Sequence, residues 1–318
     1  MPTRIITRWG LPPDVRARVG QAGPGVTIES IHDKAKWREA LATTDAIFGA
    51  FDPADLPHAP NLRWVHYGSA GVDAIMTPAV VDGPVVLTSS RGCYAPAIAE
   101  HAIGLMLGLS RGIGEQARHM AAGTWRASRG AIELAGAIMG IVGYGGIGRA
   151  VAKLAKGFDM RVIGADATPC SPPDRGPADE VWQIAGRLDE LLAIADVVVC
   201  AAPLTSQTRR MFAGPQFARM KPSAYVVNVS RGELVDTPAL VAALQQSQIA
   251  GAGLDVVDLE PLPPDHPLWA MPNVLLTAHM AGQSPRSGTR VFDVFVENVR
   301  RFTRGEPLLN VVDKRAAV

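Results

Sequence analysis

The chain is predicted to be an α/β protein built on parallel sheets, and three features of the sequence carry that prediction. Two successive series of short apolar strands alternate with helical stretches. A glycine turn with G-x-G-x-x-G spacing, Gly143, Gly145 and Gly148, opens the second series. An acid, Asp166, closes the next strand 18 residues beyond Gly148 (166 − 148), near the ~20 residues at which such turns place their acidic partner.

Bulk numbers bound what the protein can be. A length of 318 residues fits about two domains, and 47% apolar with 19% charged residues suits a packed core rather than disorder. The 31 Lys and Arg balance 30 Asp and Glu, so there is no basic footprint for nucleic acid and no polybasic patch for a membrane. Three cysteines, Cys93, Cys170 and Cys200, lack metal-type spacing and fit thiols in a reducing compartment. The N-terminal MPTRIITRWGLPPD has no apolar signal region, and no run reaches the ~18 apolar residues of a membrane span. A cytoplasmic protein without a metal site is expected.

Strands of the first series are expected at 4–9, 45–50, 62–71 and 84–90, rich in β-branched and aromatic residues. A helix is expected at 33–44. The segment 97–123 reads as one long helix, apolar on more than one side and rich in Gly and Ala, buried between domains or against a second subunit. Six strands of the second series follow at 137–143, 160–166, 196–203, 225–230, 250–256 and 273–279. The proline-rich stretch 167–177 reads as a loop.

The glycine turn gains its meaning from context: apolar strand before, helix after, second strand closing on an acid. Gly143 can make the tight turn, Gly145 lets the backbone approach a pyrophosphate, and Gly148 permits close helix–strand packing. The helix N-terminus offers free N–H groups and a favourable dipole to phosphates. The Asp166 carboxylate suits ribose hydroxyls and repels a ribose 2′-phosphate, which favours NAD over NADP. Arg161 in the same strand does not replace it, and Arg175 lies in the loop.

Three further residues fall at carboxyl ends of predicted strands or in the loops beyond, where open α/β sheets bind ligands. Taken alone, Arg231 reads as a surface ion-pair partner, Glu260 as a solvated loop acid and His279 as a core histidine. Beside a nicotinamide they match the needs of a 2-oxo acid. Arginine offers bidentate geometry to its carboxylate, and histidine offers its carbonyl a proton near neutral pH. A nearby carboxylate favours the imidazolium form.

The sequence resembles the D-isomer-specific 2-hydroxyacid dehydrogenase family over nearly its whole length. The resemblance rests on SAGVDAI (69–75), AIAEHAIGLML (97–107), the GYGGIGRA turn, AAPLTSQT (201–208), VNVSRGELVD (227–236), GLDVVDLEPLP (253–263), and HPLW followed by PNVLLTAH. It implies a Rossmann nucleotide-binding domain, 97–286, inserted in a flavodoxin-like substrate domain formed by 1–96 and 287–318. The family's catalytic Arg, Glu and His fall on Arg231, Glu260 and His279. Its substrate loop falls on Ser69, Ala70, Gly71 and Val72, whose backbone N–H groups would receive the carboxylate. The resemblance further implies Gly146 and Ile147 at the NAD pyrophosphate, Ala202 and Pro203 along the adenine side, and Val229 and Asp255 near the nicotinamide.

Two positions depart from the family pattern. Ala278 stands where a proline commonly precedes the histidine, so the loop lacks proline's fixed φ. Arg91 stands where a proline is common, either as a solvated residue or as a cation facing a second acidic group of the substrate. Tyr94 is either packing or a pocket wall. The long apolar helix predicts a homodimer. An alternative reading is an NAD-sensing, corepressor-like protein without turnover, and phosphite or formate oxidation is a further one. Formate enzymes typically carry Gln at the position of Glu260.

Overall fold

The computed structural model describes residues 2–127, 131–168 and 175–315, so Cys170 and most of the proline-rich stretch lie outside the described residues. The chain divides into two units, Met1–Tyr94 with Ser284–Val318, and Ala95–Gln283.

In the first unit, β1 (Thr3–Thr7), β2 (Val26–Ser30), β3 (Ala46–Gly49), β4 (Trp64–Tyr67) and β5 (Val86–Ser89) form a parallel sheet of order β2-β1-β3-β4-β5. That is the flavodoxin-like order, with its reversal between β1 and β3. The sheet carries helices α1 (Pro13–Gly20), α2 (Lys34–Leu41) and the short α3 (Pro78–Val81). Period-two alternation splits the strand residues between two cores. Ile5, Phe48 and Trp64 pack with Val15 and Val19 of α1, while Ile6, Ile47 and Val65 pack with Trp37 and Leu41 of α2.

The second unit begins with α4 (Ala95–Ser110) and α5 (Ile113–Ala121), two helices where the sequence suggested one. Gly112 separates them with φ 67, a left-handed conformation that glycine adopts without steric cost and that an α-helix cannot contain. Then follow β6 (Ile138–Val142), α6 (Gly146–Lys156), β7 (Arg161–Asp166), β8 (Glu180–Gln183), α7 (Leu188–Ile194), β9 (Val197–Cys200), α8 (Gly214–Phe217), β10 (Tyr225–Asn228), α9 (Thr237–Gln245), β11 (Gly251–Leu254) and β12 (Val274–Leu276). The parallel order is β12-β11-β10-β9-β6-β7-β8, a Rossmann arrangement with one strand more than the sequence suggested. Its reversal falls between β6 and β9, so the ligand crevice belongs at their carboxyl ends.

Both faces of this sheet are covered, which is why β9 (VVVC) is apolar at every position and buried throughout. Val198 and Cys200 join the core under α7 and α9, and Val197 and Val199 join the one under α4 and α6. Most of α4 is spent here. Leu105 and Met106, on the helix read above as buried between domains or against a second subunit, are buried in the core of their own unit.

The chain returns to the first unit through α10 (Pro285–Arg304). Ser284 caps it by accepting from Arg286 N. Val291, Phe295, Val296 and Val299 recur at helical spacing on its buried face. The Phe295 ring stacks on Phe48 at 3.8 Å between centroids. Burying an aromatic ring of this size contributes about 1.5–3 kcal/mol.

Candidate active site

The glycine turn is built at the carboxyl end of β6. Gly143 has φ 92, its N–H donates to Ala165 O at 2.8 Å, and a Cβ there would overlap the backbone of Ala202. A Cβ on Gly148 would overlap the Gly143 carbonyl. Gly145 differs, since a Cβ on it would meet nothing within 4 Å. It is the N-cap of α6, and no side chain caps that helix end. Open space in front of uncapped N–H groups is what a phosphate-bearing ligand needs. Gly146 is exposed and Ile147 half-buried at the same helix start.

Asp166 ends β7 beside this turn. Its carboxylate accepts from Tyr144 N at 2.8 Å and from Thr168 N at 3.1 Å, which fixes it next to the glycine loop while leaving it half-exposed. Arg161 faces away into an ion pair with Glu180 at 2.5 Å, and Arg175 donates to Asp179 O at 3.0 Å. Ala202, buried, and Pro203, exposed, follow β9. These residues therefore fit a dinucleotide: cradle, helix end and acid lie together at the reversal of the strand order.

The loops beyond β10, β11 and β12 carry Arg231, Glu260 and His279 in turn, and the last two meet. Asn228 Nδ2 donates to Arg231 O at 2.9 Å, and Arg231 Nη1 donates to Ser230 O at 2.8 Å. Val229, just before them, is buried. The next residue must be glycine, because a Cβ on Gly232 would overlap the Val257 carbonyl. Val257 N in turn donates to Glu260 Oε1 at 3.1 Å. Glu260 Oε2 lies 2.7 Å from His279 Nδ1. With Nδ1 bound to a carboxylate that can only accept, the ring carries its hydrogen there and presents Nε2 outward. The His279 side chain is 51% exposed and Glu260 37%, so the pair opens to a ligand.

His279 has φ 48, uncommon for a residue with a Cβ. The backbone is held there by Asp255. His279 N donates to Asp255 O at 2.8 Å, and the buried Asp255 carboxylate accepts from Met280 N and Ala281 N, both at 2.9 Å. The loop beside Ala278 is thus shaped by a carboxylate rather than by a proline. Nothing in the local sequence announced this, because the donors lie more than twenty residues from Asp255.

In the first unit the loop Ser69–Val72 follows β4. Its entry is fixed by Tyr94 Oη, which donates to Gly68 O at 2.6 Å, and by Ser90 N, which donates to Ser69 O at 3.0 Å. Trp9 lies against the same loop start, since a Cβ on Gly68 would overlap its indole. Tyr94 therefore holds backbone, and Trp9 is a contact that the sequence reading missed. Arg91 is exposed, and its carbonyl accepts from Asn310 Nδ2 at 2.9 Å.

Cys93 and Cys200 are free and buried, and burial pushes both thiols up. Among the described residues no cluster of three His, Cys, Asp or Glu side chains is placed to hold a metal, and no helix is long and apolar enough to cross a membrane.

Fold and glycine turn together suit a dinucleotide-binding protein, and comparison with known proteins gives the family. The family model for "D-isomer specific 2-hydroxyacid dehydrogenase, NAD binding domain" matches residues 103–281. The chain is 35% identical over 285 residues to a glyoxylate reductase of Korarchaeum cryptofilum, covering 87% of this chain and 85% of that one. It is 33% identical to glyoxylate/hydroxypyruvate reductase B of Salmonella newport over the full length of both. Among solved structures, the NADPH-dependent glyoxylate/hydroxypyruvate reductase of Sinorhizobium meliloti, in complex with NADP and sulfate, superposes with a TM-score of 0.83 at 27% identity, covering 99% of this chain and 100% of that one. The chain belongs to the D-isomer-specific 2-hydroxyacid dehydrogenase family.

Proposed function

We propose that this protein is an NAD(H)-dependent reductase that interconverts a small 2-oxo acid, of the glyoxylate or hydroxypyruvate type, and the D-2-hydroxy acid. The observation that carries the reading is the 2.7 Å pairing of His279 Nδ1 with Glu260, on a loop adjoining that of Arg231. A bound nicotinamide cofactor supplies the hydride. The chain supplies the rest.

In this reading the Arg231 guanidinium holds the substrate carboxylate through paired N–H donors and so fixes the carbonyl's orientation. His279 gives its Nε2 proton to the carbonyl oxygen as negative charge develops there, and takes it back in oxidation. Glu260 accepts from Nδ1, sets the tautomer and balances the imidazolium. In the first unit, the N–H groups of Ser69, Ala70, Gly71 and Val72 serve the substrate carboxylate.

For the cofactor, Gly143, Gly145 and Gly148 form the turn, and Gly146 and Ile147 offer N–H groups to the pyrophosphate. Ala202 and Pro203 flank the adenine side, and Val229 and Asp255 lie toward the nicotinamide. Asp166 favours NAD, because a fixed carboxylate beside the ribose pocket repels a 2′-phosphate. The test is oxidation of NADH and, in parallel, NADPH with a panel of 2-oxo acids. Turnover of a small oxo acid with a clear NADH preference is expected. Tight NADH binding without turnover of any 2-oxo acid would turn the reading toward a nucleotide sensor.

A homodimer is part of the same proposal. Ile113, Met120 and the fully exposed Trp125, on and just beyond α5, are large apolar side chains in solvent, and such groupings mark interfaces. Light scattering at micromolar concentration should give twice the chain mass of 33.6 kDa. A monomer would refute the assignment.

A further inference from the structure

We infer that His101, on α4, is a positioning residue for His279 and acts through Thr277 and Asp255. The inference rests on the proposed role of His279. It starts from hydrogen counting.

Thr277 has a single hydroxyl hydrogen and gives it to Asp255 Oδ1 at 2.6 Å. His101 Nε2 lies 2.8 Å from the same hydroxyl oxygen. The hydroxyl hydrogen is already spent on a carboxylate, so His101 must donate, and its ring carries a hydrogen on Nε2. The polarity of the chain is therefore fixed: His101 to Thr277, Thr277 to Asp255. His101 Nε2 is also 3.5 Å from Asp255 Oδ1 itself.

Asp255 is where this chain meets the loop of His279. The Asp255 side chain is 2% exposed, so its carboxylate depends on protein donors in place of water. Those donors are Thr277 Oγ1, Met280 N and Ala281 N, one before His279 and two after it. His279 stands between them at positive φ, preceded by Ala278, which does not fix the backbone as proline would. His101 keeps the Thr277 hydroxyl turned toward Asp255. Without that contact Thr277 can rotate away, Asp255 loses a donor, and the geometry of the His279 loop slackens. A histidine 176 positions from Thr277 in sequence thus steadies the catalytic loop without touching the reacting atoms.

The test compares His101→Leu with His101→Gln, whose amide can still donate from a similar position, and Thr277→Val with Thr277→Ser. Two quantities are read: hydrogen exchange at the Met280 and Ala281 amides, and steady-state kinetics with glyoxylate and NADH. The Leu and Val variants should raise exchange at those two amides and lower kcat, each about two- to tenfold, the effect of one net hydrogen bond. The Gln and Ser variants should restore both readouts. Unchanged exchange at Met280 and Ala281 in His101→Leu overturns the inference whatever the activity. If His101→Leu does not fold, Thr277→Val decides alone by the same criterion. Loss of kcat in Leu and Gln variants alike also overturns it, since donation would then be irrelevant. A wild-type protein that reduces no 2-oxo acid, while exchange responds as described, overturns the catalytic reading and leaves His101 as a determinant of loop geometry alone.

Discussion

Gly145→Ala separates cofactor binding from folding more cleanly than any other single change in this site. A Cβ at Gly145 would have nothing within 4 Å, and its backbone is extended, at φ −83 and ψ −151. The folded protein should therefore accept alanine, with a melting temperature equal to or slightly above the parent, because alanine restricts the unfolded chain by about 0.4–1 kcal/mol. The methyl group would, however, stand in the space through which a pyrophosphate approaches the uncapped N–H groups of α6. Losing one hydrogen bond to a charged acceptor costs about 1.5–3 kcal/mol, equivalent to roughly 10- to 150-fold in Kd. Fluorescence titration with NADH, beside thermal melts of the same samples, measures both quantities. Gly143→Ala is the contrast: its φ of 92 and the overlap with Ala202 should cost about 3 kcal/mol or more of stability, through backbone strain and displaced packing. A stable Gly145→Ala protein that binds NADH within twofold of the parent would refute placement of the pyrophosphate on this turn.

Asp166→Asn keeps an acceptor for Tyr144 N–H but removes the charge, so the ratio of kcat/KM for NADH over NADPH should fall by about tenfold; an unchanged ratio would show that Asp166 does not set cofactor choice. His279→Ala should act mainly on kcat, by roughly 10²–10⁴-fold, whereas Arg231→Ala should raise KM and lower kcat together. Near-native turnover for His279→Ala would end the acid–base assignment. A further effect concerns stability in acid. Burial pushes the His66 imidazole from its ordinary 6.5 down to about 3, so the fold holds it neutral while the unfolded chain takes up a proton below about pH 6.5. The stabilisation is complete above that pH and drains away as pH falls toward 3, to a total on the order of 5 kcal/mol. Urea melts at pH 7 and pH 4.5 should show the parent losing about 2–3 kcal/mol more than His66→Gln, and equal losses would contradict it.

How much of this could be read from the sequence depended on how local each signal was. All six strands expected in the second series are present, because strands buried on both faces are written as apolar runs such as VVVC. The two strands that went unread, Val26–Ser30 and Glu180–Gln183, are both edge strands of their sheets. Each has one neighbour instead of two and carries polar residues at exposed or half-exposed positions, so its pattern fades toward that of a loop. The helix expected over 97–123 failed for a different reason. Gly112 is one of several glycines in that stretch, and only its left-handed φ, fixed by packing, distinguishes it as the break between α4 and α5.

The site divides in the same way. Turn, helix start and acid lie within 23 residues of one another (166 − 143), and the order strand, glycines, helix, strand, acid leaves little freedom in how they meet. Arg231, Glu260 and His279 share no such local grammar. Glu260 and His279 meet only in the fold, and the loop of Arg231 abuts that of Glu260 where Gly232 lies flush against Val257. Asp255 illustrates what remains hidden. The family resemblance assigns it to the cofactor, yet its carboxylate is held inward, by Thr277, His101 and the amides after His279. A buried carboxylate that shapes a loop and one that meets a ligand look identical in a sequence. Only the count of donors around it separates them, and here that count ties the conformation of His279 to a helix far away along the chain.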